Sequence, residues 1–183
     1  GEPDLAGLLW DGECIAVTGT NGKTTAASFI AHALDRAGRR SAALGNIGEP
    51  MCGTACDSSG LTAVCELSSF QGMRLKYLRP DALLWTNFAP DHLDWHADMR
   101  EYFGAKLNVA RLLKSDIFLA GESVKEAAES LGAAMPGFCR FVPEHPFDKA
   151  PPPFDNSIHS RNFAMVCGLW ELLGRDTGEL YAA

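Results

Sequence analysis

The sequence predicts an α/β domain: a mostly parallel sheet flanked by helices. Three observations predict it. Short apolar runs alternate with helical patterns, as they do when helices cross over between parallel strands. One of those runs leads straight into a glycine loop ending in Gly22-Lys23-Thr24, and then into a helix. The composition is that of a packed core, with 46% apolar and 21% charged residues over 183, a length that one domain fills.

The elements follow in order. Cys14 to Val17 reads as a short buried strand. Lys23 to Ala37 reads as a helix, with Gly38 placed to end it. Ser41 to Leu44 is the second strand, running into Gly45-Asn46-Ile47-Gly48, and Leu61 to Glu66 is the third. A short helix is expected over Gly72 to Leu78, stopped by Pro80. Ala82 to Thr86 is the fourth strand. Asp98 to Leu113 is a helix opened by the capping pair Asp98 and Glu101. Asp116 to Ala120 is a strand, Ser123 to Leu131 a helix, and Cys139 to Val142 the last strand. The run from Pro143 to Pro153 is expected to be irregular or polyproline-like, before a final helix over Arg161 to Leu173.

Charge and cysteine content narrow the function classes. The net charge is −7 and the pI about 5.2. An acidic chain gains no general attraction to nucleic acid, so any phosphate must be gripped locally. No stretch approaches the roughly 20 apolar residues of a membrane-spanning helix. The six cysteines are Cys14, Cys52, Cys56, Cys65, Cys139 and Cys167. None forms a CxxC pair, so they read as reduced thiols of a cytoplasmic protein, mostly small core hydrophobes, and not as a zinc site.

The glycine loop carries the first chemistry. It runs Thr18-Gly19-Thr20-Asn21-Gly22-Lys23-Thr24-Thr25. Gly19 and Gly22 let the backbone curl so that N–H groups from Gly19 to Thr25 converge on phosphate oxygens. The helix N-terminus adds its partial positive charge. Lys23 reaches the β- and γ-phosphates, and the Thr24 hydroxyl is placed for Mg²⁺. A glycine turn that merely happens to precede a lysine would not place strand, GKT and helix in register.

Two further clusters fall at strand ends. Glu66 ends the third strand, followed by Leu67-Ser68-Ser69-Phe70-Gln71. A carboxylate at the carboxyl edge of a parallel sheet is either an exposed strand end or, beside a P-loop, a Mg²⁺ ligand; the second is preferred. The fourth strand delivers Asp91-His92-Leu93-Asp94-Trp95-His96. Two His and two Asp in six residues point to metal or substrate chemistry. A polar loop capping the next helix is the alternative, but Asp98 already serves that purpose. His96 receives no role. Met99, Phe103, Lys106, Ala110 and Leu113 form one helical stripe, which turns Lys106 inward. From the residues alone, a snorkelling lysine is the simpler account.

These strings resemble a known family. TGTNGKTT is similar to the ATP loop of the Mur ligases and folylpolyglutamate synthases, ATP-dependent ligases that join an amino acid to a carboxylate through an acyl phosphate. ELSSFQ resembles the D-glutamate-adding members. DHLDWH resembles their DHxD motif, which implies that His92 binds a second Mg²⁺. Tyr102-Phe103-Gly104-Ala105-Lys106 is similar to the family's YxxAK segment, which implies that Lys106 is carbamylated by CO₂ and becomes an oxygen ligand. The resemblance also implies substrate contacts for Asn46, Ser68 and Gln71, and a nucleotide contact for Asn162, placed before an Ala-rich helix. Here the sequence departs from the family's HNxxN motif, since His159 stands where the first Asn is expected.

The implied reading is a central ATP-binding domain over residues 1–183, lacking the N-terminal UDP-binding and C-terminal Rossmann-like domains of the family. The implied enzyme is cytoplasmic and monomeric. It takes ATP, two Mg²⁺, UDP-N-acetylmuramoyl-L-alanine and D-glutamate, with no nucleic-acid or membrane partner. Lys23, His92 and Lys106 would be catalytic; Thr24, Glu66, His92 and Lys106 would hold metal. Two alternatives stand beside it: a folylpolyglutamate-type ligase, against which ELSSFQ argues, and a nucleotide-binding regulatory module without ligase activity.

Overall fold

The computed structural model describes residues 1–143, 150 and 157–181. Six strands form one parallel sheet: β1 (Cys14–Thr18), β2 (Ser41–Gly45), β3 (Thr62–Glu66), β4 (Ala82–Trp85), β5 (Phe118–Gly121) and β6 (Cys139–Val142). Their order across the sheet is β2-β3-β1-β4-β5-β6. β1 pairs with β3 on one side and β4 on the other, all parallel. The chain leaves β1 toward β2 but later crosses back over β1 to reach β4. Successive crossovers therefore diverge at β1 and open a crevice at its carboxyl end, where such sheets bind ligands.

The helices are α1 (Glu2–Ala6), α2 (Lys23–Arg36), α3 (Met51–Thr54), α4 (Ser69–Arg74), α5 (Met99–Ala110), α6 (Glu122–Leu131), α7 (Ser157–Leu172) and α8 (Gly178–Tyr181). Successive strand side chains point to opposite faces, so each central strand feeds two cores. Cys14 and Ala16 pack with Leu75, Phe103 and Val124 on one face. Ile15 and Val17 pack with Ile30, Phe163 and Trp170 on the other. Burial on both faces is why β1, β3 and β4 carry the apolar runs Cys14–Val17, Ala63–Cys65 and Ala82–Trp85 without alternation.

The expected strands all form, shifted by a residue or two at their ends. The helix expected over Gly72 to Leu78 is corrected to Ser69–Arg74. Ser68 and Gln71 make a capping box that starts it earlier, and Leu75 turns extended at its end. Asn162 lies inside α7 and not before it. Of the cysteines, Cys14 and Cys65 are buried in the core, whereas Cys56 is exposed and Cys52, Cys139 and Cys167 are half-buried. The expectation of mostly core thiols holds for the two strand residues alone. The Pro143–Pro153 run lies mostly outside the described residues. Among the described residues, no helix is long and apolar enough to cross a membrane.

Candidate active site

β1 ends at Thr18 and hands the chain to the loop. Gly19 and Gly22 adopt φ of 150° and 77°. The positive φ, with close side-chain neighbours added, favours glycine at both positions. A Cβ on Gly19 would lie 2.0 Å from Thr86 Oγ1, and one on Gly22 2.3 Å from Asn162 Oδ1. The end of β4 braces the loop from beside it. Thr86 Oγ1 donates to the Asn21 carbonyl at 2.7 Å, and Asn87 both donates to that carbonyl and accepts from Asn21 N–H, each at 2.9 Å. Thr86 and Asn87 were not singled out from sequence. Their signal is polar residues closing an apolar strand at the same sheet edge as the loop.

Lys23 heads α2 and folds its ammonium back onto the Thr20 carbonyl at 2.8 Å. Thr24 Oγ1 donates to Glu66 Oε2 at 2.7 Å. Asn46 Nδ2 donates to Glu66 Oε1 at 3.0 Å. Glu66 is 2% exposed. Its carboxylate thus sits at the bottom of the crevice with two neutral partners, a costly place for an uncompensated charge.

Lys106 does not snorkel. It is 2% exposed, and its Nζ donates to the Gly19 carbonyl at 2.7 Å. It also stands 4.9 Å from the centre of the Tyr102 ring. Burial, reinforced by the nearby Lys23 charge, brings its pKa down from 10.5 to about 7. Tyr102 is itself half of a link to the loop, since its hydroxyl lies 3.2 Å from Thr20 Oγ1.

His92 sits on an exposed turn, with φ of 52°. Its ring packs against Phe70 at 5.1 Å and Tyr102 at 6.0 Å between centroids. His92 and Lys106 therefore border the same tyrosine ring from two elements. His96, given no role from sequence, is 1% exposed. Its Nε2 lies 2.9 Å from Ser69 Oγ, and its buried Nδ1 has no hydrogen-bond partner among the described residues. Burial lowers the His96 pKa, and the Glu101 carboxylate, 3.6 Å from Nδ1, partly opposes that.

Ser68 and Gln71 meet each other. Ser68 N–H and Oγ donate to Gln71 Oε1 at 2.9 and 3.0 Å, so these two side chains cap α4. Asn162 stands against Gly22, on the wall of a 480 Å³ cavity with Asn21, Asn87, Ser123 and Arg161, whose lining includes neither Glu66 nor Lys106. The structure thus gathers the loop, Glu66, Asn46, Lys106 and Asn162 around one strand end, with His92 on its rim. Among the described residues, no group of three or more His, Cys, Asp or Glu side chains could hold a metal by itself.

A parallel sheet with a P-loop at its divergence point, a carboxylate on the loop threonine and a buried lysine under the loop define a P-loop nucleotide-binding domain. The family described as Mur ligase middle domain matches residues 17–135, and the chain belongs to it. It is 41% identical over 121 residues to a UDP-N-acetylmuramoylalanine--D-glutamate ligase of Streptococcus agalactiae serotype Ia, covering 64% of this chain and 26% of the relative. The ligase of the same name from Ruegeria pomeroyi is 43% identical over 107 residues, covering 56% and 23%. The chain spans about a quarter of the length of the curated relatives it matches.

Solved structures agree on the fold. The UDP-N-acetylmuramate:L-alanyl-gamma-D-glutamyl-meso-diaminopimelate ligase from Neisseria meningitides matches with a TM-score of 0.67 at 18% identity, over 97% of this chain and 67% of that one. E. coli FolC, solved with DHPP and ADP, matches with a TM-score of 0.62 at 15% identity, over 97% and 58%.

Proposed function

We propose that this chain is the ATP-binding and phosphate-activating portion of a ligase that adds D-glutamate to UDP-N-acetylmuramoyl-L-alanine, a step in making peptidoglycan precursors. The observation that carries the reading is the pairing of Lys106 with the loop. A module that only binds nucleotide has no use for a buried amine against the Gly19 carbonyl. A ligase that needs a carbamate there does, because the pKa of about 7 leaves much of the amine neutral and reactive toward CO₂. The string ELSSFQ and the named D-glutamate ligases support the choice of amino acid over the folylpolyglutamate alternative.

The donor set fits Mg²⁺ at the first position. Thr24 and Glu66 offer only oxygen, and the buried Glu66 has neutral partners, so a cation would complete it. At the second position His92 and a carbamylated Lys106 would be the ligands; an unmodified amine is a poor one. When bound, the ions neutralise phosphate charge and align the reacting oxygens. The chain's own residues do the rest. The loop N–H groups and Lys23 hold the β- and γ-phosphates, which lowers the repulsion when the substrate carboxylate approaches the γ-phosphorus. That attack releases ADP and leaves an acyl phosphate. The D-glutamate amine then attacks its carbonyl carbon, and phosphate departs with the C–O bond. Ser68, the N-cap of α4, would serve this centre, Asn46 and Gln71 the muramoyl substrate, and Asn162 the nucleotide. The flanking regions of the longer relatives are proposed to hold the UDP group and the amino acid. The enzyme acts in the cytoplasm as a monomer.

The experiment is a coupled ADP-release assay on the full-length protein that contains this chain. ADP should form only when ATP, UDP-N-acetylmuramoyl-L-alanine and D-glutamate are all present. Lys106→Ala should abolish it, and short carboxylates should restore part of the rate. ADP release with a folate substrate, or full activity in Lys106→Ala, would overturn the reading.

A further inference from the structure

We propose that His96 is a positioning residue that ties the turn carrying His92 to the head of α4. What His92 does rests on the ligase reading above; the tie itself rests on geometry.

His92 has little to hold it. It is exposed, its backbone is left-handed, and its ring meets Phe70 at a tilt and Tyr102 edge-on, with the Asp91 carboxylate at 3.6 Å. A side chain so placed inherits its position from its backbone. That backbone is closed into one turn by His96, whose N–H donates to the His92 carbonyl at 2.9 Å, with Trp95 N–H on the same oxygen at 3.1 Å. The turn ends where the His96 ring is buried.

The ring is pinned in two ways. It stacks on Phe70, 5.7 Å between centroids and 3° from parallel, with Trp95 and Tyr102 at 4.7 and 5.1 Å. A phenyl group would satisfy that aromatic setting and forgo the Glu101 carboxylate 3.6 Å from Nδ1. What a phenyl group could not do is bond Ser69 Oγ, 2.9 Å from Nε2. Ser69 is the first residue of α4, directly after Ser68 and two before Gln71. The bond thus joins the segment proposed to meet the substrate to the segment proposed to meet the second ion. Tyr102, which packs on His96, also carries Lys106 over its ring and reaches Thr20 in the loop. Partners that orient a ligand in this way are costly to remove.

The test uses the full-length protein with ¹⁵N-labelled histidines, free of metal for spectroscopy. Ser69→Ala removes the oxygen and keeps the stack; His96→Phe keeps the stack and removes the nitrogen. In both, the His92 ring resonances should move, and kcat for D-glutamate ligation should fall about 10–100-fold with KM for ATP held within about twofold. The double variant should be no worse than the worse single one, because both break the same bond. His96→Gln, whose amide can meet Ser69, should recover part of kcat. Unmoved His92 resonances in Ser69→Ala overturn the proposal whatever the activity does. Shifted resonances with unchanged kcat also overturn it, since the tie would then not serve the reaction. If His96→Phe loses its cooperative melt, Ser69→Ala decides. If the parent protein does not ligate D-glutamate, the functional reading falls alone, and the tie is judged by the resonances.

Discussion

Lys106 Nζ donates a 2.7 Å hydrogen bond to the Gly19 carbonyl, across 87 residues of sequence. One end is the inward stripe of α5, the other the first turn of the phosphate loop. A cation is thereby held inside the protein, at a real electrostatic cost.

That cost gives a pH dependence. The unfolded chain holds the Lys106 proton up to about 10.5, the folded chain only up to about 7. Between those values the unfolded state binds more protons, so this residue makes stability rise with pH across that window. Lys106→Met should raise the unfolding free energy at pH 7 by on the order of a few kcal/mol, less the lost Gly19 bond, and the melting temperature with it, the gain shrinking toward pH 10. Thermal melts at several pH values without divalent ions check this. A pH-independent difference would contradict it.

Lys23→Ala should weaken ATP binding by about 1.5–3 kcal/mol, the size of a hydrogen bond to a charged group. Its ammonium rests on the Thr20 carbonyl and is not part of either core, so the melting temperature should barely move. Isothermal titration with ATP and Mg²⁺, beside a melt, separates the two effects.

Glu66→Gln keeps the shape that accepts from Thr24 and removes the charge. The Asn46 amide can turn to suit it. The variant should fold, yet require a higher Mg²⁺ concentration to reach half its maximal ADP release. An unchanged Mg²⁺ dependence would remove Glu66 from the ion site.

Two glycines in the paired helices α4 and α5 should respond with opposite signs. A Cβ on Gly72 would stand 2.6 Å from the Ala105 carbonyl oxygen, so Gly72→Ala should destabilise by about 1–3 kcal/mol. Gly104 meets open space within α5, so Gly104→Ala should stabilise by about 0.5–1 kcal/mol. Denaturant melts of the two variants measure the pair.

The helix at Ser69–Arg74 shows what was legible and misread. Ser68 and Gln71 spell a capping box, whereas Pro80 as a stop points to a helix beginning three residues later. A substrate role expected of Ser68 and Gln71 does not reveal that the same side chains cap α4. His96 was visible as a second histidine after His92, yet nothing in its spacing told a buried tie from a surface ligand.

Local chemistry settled much of this protein from the sequence. The Gly19–Thr24 loop between an apolar strand and a helix needs only neighbours in the chain to declare a phosphate site. The alternation of strands and helices likewise dictates a parallel sheet, since crossovers permit little else. Burial and partnership were decided only in three dimensions. That Lys106 lies under Gly19, that Glu66 meets Thr24 and Asn46, and that His96 reaches Ser69 depend on which strands lie side by side. The order β2-β3-β1-β4 brings the ends of β1, β3 and β4 to one edge. No periodicity encodes that order, because it arises from how the apolar faces of the whole chain pack at once.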